Sequence, residues 1–149
     1  MTARLKRLAN AVYLPVRAAI TAPVSAVALA VNYGYARLPG RSVEYNWNWE
    51  HWVFVCCGGP TSLGAGATTF GGVINTKLSY DDLLTGHDGR LIWHETKHTD
   101  QWAIFGPSFA IVYGLAAAWD LVGLKASDRR QGTHNAFEIW AGLSEGGYR

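Results

Sequence analysis

Leu91-Ile92-Trp93-His94-Glu95-Thr96-Lys97-His98-Thr99-Asp100-Gln101-Trp102 carries H-E-x-x-H at its centre. On a helix, His94 and His98 stand one turn apart, so both imidazoles leave the same face and reach one ion. Glu95 is rotated about a third of a turn away, near enough to meet a metal-bound water without ligating the metal. Two neutral imidazoles suit an open zinc site, and the neighbouring carboxylate suits the proton of an activated water.

Read outward from the motif, the helix spans 91–105 and must stop at Gly106-Pro107. Residues 108–124 form a strongly apolar segment that reads as a helix buried against it, or as a membrane-dipping hairpin. A charged loop over 125–132 follows, then a last helix from Asn135 to about Ser144, closed by Gly146-Gly147. A catalytic zinc needs a third protein ligand, and Glu138 on that last helix is the best candidate. Asn135 and Glu138 also fit a capping box, which would only start a helix. Asp100 and Asp120 fit as partners that hold an imidazole by its free N–H.

The pairing of His94-Glu95, His98, Gln101 and Gly106-Pro107 with a later Asn135-x-x-Glu138 helix resembles the gluzincins, zinc metallopeptidases whose third ligand is a glutamate. It is more similar still to small bacterial predicted metallopeptidases, over roughly 92–147. The resemblance implies zinc on His94, His98 and Glu138, with Glu95 as general base. It further implies a Tyr or His that steadies the oxyanion, for which His134, Tyr113 and Tyr148 remain open, and an edge strand near Val73-Ile74-Asn75 for an extended peptide. Lys97 and Asp100 depart from the stricter motif, which has uncharged and hydrophobic residues there. A family member that keeps the metal without peptidase work would fit those departures.

Upstream of the motif, Tyr45, Trp47 and Trp49 alternate with Asn46, Asn48 and Glu50, the pattern of a half-exposed strand. An apolar run continues through Cys56, and Thr68-Thr69-Phe70 with Val73-Ile74-Asn75 read as strand around a glycine bulge. The Gly-rich stretch between them lacks the G-K-[ST] ending of a phosphate loop. Ser79 to Leu84, before Gly86, reads as a short capped helix, and His87 as a surface turn residue. His51 reads as a packed histidine beside tryptophans, and adjacent Cys56 and Cys57 as buried thiols.

Residues 1–37 begin with Arg4, Lys6 and Arg7 and continue as an apolar stretch broken by Pro15, Arg17 and Pro23. Ala28-Leu29-Ala30 gives it the look of a signal sequence. We expect instead a retained helix that packs on the core, a protein partner or a membrane surface, making the protein membrane-associated or cytoplasmic. Residues 38–149 then form the domain: α+β, mainly helical, zincin-like and minimal, with a small antiparallel sheet before the motif helix.

The totals set bounds on these readings. The chain has 149 residues, enough for one core, with 49% hydrophobic and only 16% charged residues. A net charge of +2 carries no message about nucleic acid, and with no basic stripe interleaved with aromatics none is expected as a partner. The expectation is a zinc-dependent hydrolase acting on peptides. The alternative is a catalytically silent zincin-like subunit of a membrane-associated or multi-protein assembly.

Overall fold

The computed structural model describes residues 3–61, 66–86, 90–127 and 135–142. Helix α1 (Ala3–Tyr35) precedes strands β1 (Glu44–Asn48), β2 (Val53–Cys57), β3 (Ala67–Phe70) and β4 (Val73–Thr76). Then come α2 (Tyr80–Thr85), α3 (Arg90–Phe105), α4 (Phe109–Ser127) and α5 (Ala136–Ala141). A 3-10 turn at Gly106–Ser108 joins α3 to α4, because Pro107 removes a helical N–H and Gly106 takes φ +59°. The architecture is α+β, as expected.

The sheet is mixed, with order β1-β2-β4-β3, and so differs from the antiparallel sheet expected. β2 and β4 run parallel, because the chain makes an excursion through β3 before returning beside β2. Phe70 pairs with Val73, so Gly71-Gly72 is a hairpin turn and not a bulge within one strand. Gly71 has φ +61°, and a Cβ there would lie within 2.9 Å of the Ser25 backbone nitrogen on α1. β4 is therefore a central, fully buried strand, and the edge beside the later helices is β3. The expected peptide edge at Val73-Ile74-Asn75 is overturned on this ground.

Alternation assigns the two sheet faces. Val53, Val55, Cys57 and Ile74 pack with Leu83 of α2 and Ile92 of α3. Cys56 and Val73 pack on Ala28 of α1. Both cysteines are free and buried, and burial, with a further push from Cys57, raises the Cys56 thiol to about 12. β1 departs from its own alternation: Asn48 is buried while Trp49 is 76% exposed. Asn48 Oδ1 accepts the His51 backbone N–H and closes the turn into β2, so the polar residue goes inward. His51 is buried with its ring edge-on to Trp93, and burial lowers its pKa. Ser79 caps α2 by accepting the Asp82 N–H, as its spacing predicts.

α1 runs through both Pro15 and Pro23 without ending. Beside the Ala28 packing, three polar ties bind it. Arg17, only 4% exposed, pairs with Asp100 Oδ1 at 2.7 Å and donates to the His51 carbonyl. Ser25 Oγ accepts the Gly72 N–H at 2.8 Å, and Asn32 Nδ2 donates to Asn75 Oδ1 at 2.7 Å. Breaking a buried ion pair strands the remaining charge, at a cost of about 3–5 kcal/mol. Asp100→Ala should therefore lower the unfolding free energy in urea by an amount of that order. A loss below about 1 kcal/mol would show that Arg17 does not need its partner.

α4 and α5 depart from their expected forms. α4 buries Phe109 and Asp120 but leaves Ile111, Leu115 and Trp119 exposed, so only one side of it is packed. α5 ends at Ala141, capped by Gly142 at φ +98°, before the expected stop; Gly146-Gly147 lies outside the described residues.

Candidate metal centre

α3 supplies both histidines and α5 supplies Glu138. The three side chains are buried, and one ligand atom from each lies within 4.8 Å of the others. Asn135 caps α5 by accepting the Phe137 N–H, which leaves the Glu138 carboxylate free to face α3. Glu138 Oε2 is 3.1 Å from His94 Nε2, Glu138 Oε1 is 3.5 Å from His98 Nε2, and the two Nε2 atoms are 3.2 Å apart.

Hydrogen bonds on the far side of each ring decide what these contacts mean. His94 Nδ1 meets the Gly142 carbonyl oxygen at 2.9 Å, which can only accept, so Nδ1 carries the proton. His98 Nδ1 meets Gln101 Oε1 at 2.8 Å, while Gln101 Nε2 donates to the Phe137 carbonyl and so fixes the amide orientation. With Nδ1 committed on each ring, both turn Nε2 inward, toward a carboxylate. Glu138 Oε2 is buried and receives no hydrogen bond. Two imidazole nitrogens and a carboxylate oxygen thus converge in one buried group that could hold a cation.

The spacing fits a tetrahedral ion. Bonds of 2.0–2.1 Å place tetrahedral ligand atoms roughly 3.3–3.4 Å apart, against 3.2, 3.1 and 3.5 Å here. Without a metal, a proton takes that place. Burial alone would lower the His98 pKa, yet Glu138, Glu95 and Gln101 together raise it. Burial would raise Glu138, but the two imidazoles and the Tyr113 hydroxyl hold it far below the usual carboxylate range.

Glu95 is 5% exposed, and the Thr69 hydroxyl donates to its Oε2 at 2.6 Å. Thr69 is locked in turn, since Trp102 Nε1 donates to its carbonyl at 2.9 Å. A cleft of about 280 Å³ opens beside the centre, between β3 and α4, walled by Phe70, Trp102, Phe109 and Tyr113. No protein-family model, no curated protein and no solved structure matches the chain. The centre therefore has to be read from its own atoms.

Not every expected residue joins it. Tyr113 does: its hydroxyl donates to Glu138 Oε1 at 2.5 Å, and its ring meets His98 edge-on. Asp100 does not hold an imidazole. It faces away toward α1, where Tyr13 and Arg17 both donate to its Oδ1, and Lys97 lies 3.8 Å from its Oδ2. Lys97 is thus an Asp100 neighbour and does not line the cleft. Asp120 is buried on α4 and does not line the cleft either. His134, Tyr148 and His87 lie outside the described residues.

The partners of the two rings were not foreseen from the sequence. Gln101, three residues after His98, had a visible spacing for that role. The Gly142 carbonyl and Thr69 had none, since tertiary folding alone brings them to α3.

Proposed function

We propose that this chain is a zinc-dependent hydrolase of the minimal zincin type that cleaves peptide bonds. The observation that supports it best is the convergence of two Nε2 atoms and an unsatisfied carboxylate oxygen at tetrahedral spacing, beside a buried Glu95. His94, His98 and Glu138 would hold the ion. Zinc with three protein ligands supplies a Lewis acid and acidifies water at its open position.

The remaining work falls to the protein's own groups. Glu95 takes the proton from water and returns it to the leaving amine, held in place by Thr69. Gln101 and the Gly142 carbonyl keep both rings in the tautomer that presents Nε2. Tyr113 keeps the Glu138 carboxylate in register. β3 is an edge strand on the cleft wall, so an extended peptide has a strand to lie along. Trp102 and Phe109 form an aromatic floor suited to an apolar side chain.

The testing experiment incubates the purified chain with a mixed peptide library and identifies the products by mass spectrometry. Cleavage should disappear with a chelator and return with stoichiometric zinc. Cleavage indifferent to the chelator would sink the reading. Bound zinc without cleavage would instead favour the silent-subunit alternative, which the exposed apolar surface described next also suits.

A further inference from the structure

α1 is inside out. Of the residues described as buried along it, Arg17, Thr21 and Asn32 are polar and Ala28 alone is apolar. Its outer face carries Val12, Val16, Ile20, Val27 and Val31, each at least half exposed. From 18 to 36 there is no charged residue, and at 1.5 Å per residue this run is about 28 Å long. α4 repeats the pattern: Asp120 is buried, while Ile111, Leu115, Trp119 and Val122 form an outer stripe at helical spacing. Among the described residues nothing covers either face. A soluble helix buries its apolar stripe and hydrates its polar one; these two do the reverse.

We infer that the outer faces of α1 and α4 dock in a lipid bilayer, with the protein held in one leaflet rather than threaded through it. Charge and aromatic placement point to lipid over a second copy. Arg37 stacks on Tyr33 and Arg41 on Tyr35 just beyond the uncharged run, and Arg4, Lys6 and Arg7 precede it in sequence. Aromatic and basic residues bracketing an apolar stretch sit at headgroup depth and attract anionic lipid. An apolar groove of about 400 Å³ between Val24, Val27 and Val31 of α1 and Phe70 opens in the same face, with room for a lipid tail.

Two stretches, Ala9–Tyr35 and Arg90–Asp120, are long and apolar enough to cross a membrane by length and composition. The tertiary ties argue against crossing. α1 is bound to the domain from Arg17 to Asn32, so a spanning α1 would drag β3 and β4 into hydrocarbon. An open sheet edge such as β3 leaves backbone groups unpaired and is not tolerated there. An interfacial helix with its apolar side down meets both constraints. This face stands independently of the metal reading.

The test is flotation of the full chain with vesicles of phosphatidylcholine and phosphatidylglycerol, with and without high salt. Wild type should float. A variant carrying Val16→Ser, Ile20→Ser and Val27→Ser should partition roughly 100-fold less. All three positions are exposed, so its circular dichroism should stay that of wild type. Leu115→Gln with Trp119→Gln provides a second, independent variant of the same face. Wild type that stays in the dense fraction as a detergent-free monomer would overturn the proposal. So would a stable dimer that ignores vesicles and is broken by the same variants, which would give the face to a second copy.

Discussion

Glu138→Ala will reduce bound zinc from about one per chain to a small fraction, measured by elemental analysis on protein purified without chelator. The carboxylate is one of three converging groups and the only anionic one. Site energies of roughly 10–16 kcal/mol, shared over the ligands, put its loss at about 3–5 kcal/mol, or 10²–10⁴ in affinity. Stability gives a second readout. Zinc that binds only the folded chain adds about 4 kcal/mol at a thousandfold excess over Kd. For a domain of this size that corresponds to a Tm rise of roughly 10–15 °C. The variant should lose most of that zinc-dependent rise. If it retained full zinc, Glu138 would be only a structural acid at the start of α5.

Titration of the metal-free protein carries opposite signs at the two partners. His98 is raised in the fold, so its stabilising contribution is present below the ordinary histidine value and is lost as pH climbs through the raised one. Glu138 is depressed, so its contribution is present above the ordinary carboxylate range and is lost only as pH falls through the depressed value. Between these limits a proton bridges the centre. Zinc must displace it, so zinc affinity should rise with pH through the raised His98 value.

How much of this was legible depends on the range of the interaction involved. The motif helix and its stop at Gly106-Pro107 are local, set by spacing and by proline geometry, and both emerge from the sequence alone. So does Ser79 as a cap. Glu138 could be singled out only because few other acids compete, and its meeting with α3 spans some 40 residues of chain that no local pattern describes. Asp100 shows the opposite failure. Its place on the motif helix suggested an imidazole partner, but one helical position decides direction, and Asp100 points at α1. The buried Arg17 there could not be foreseen, because an arginine in an apolar run reads as an interruption until its carboxylate is found. The sheet failed for a related reason. Strand pairing is non-local, so Gly71-Gly72 looked the same as a bulge or as the turn that makes β3 an edge.

Glu95→Gln separates metal from chemistry. Glutamine is nearly the same size and can still accept from the Thr69 hydroxyl, so the α3–β3 contact survives. It lies outside the three converging ligand atoms, so zinc content should stay near one per chain. What glutamine cannot do is accept a proton from water at neutral pH. Loss of a positioned general base costs about 10²–10⁴ in rate. The expected result is therefore a fall of that size in kcat, with KM changed by no more than a few fold, because Glu95 is not needed to hold substrate. The form of the loss is as informative as its size. A fall in kcat with zinc intact assigns Glu95 the proton, whereas a fall in zinc content would assign it to the ligand set. Activity above about a tenth of wild type would remove Glu95 from the chemistry. The cleft would then need another base, and Tyr113, already donating to Glu138, is not placed to be one.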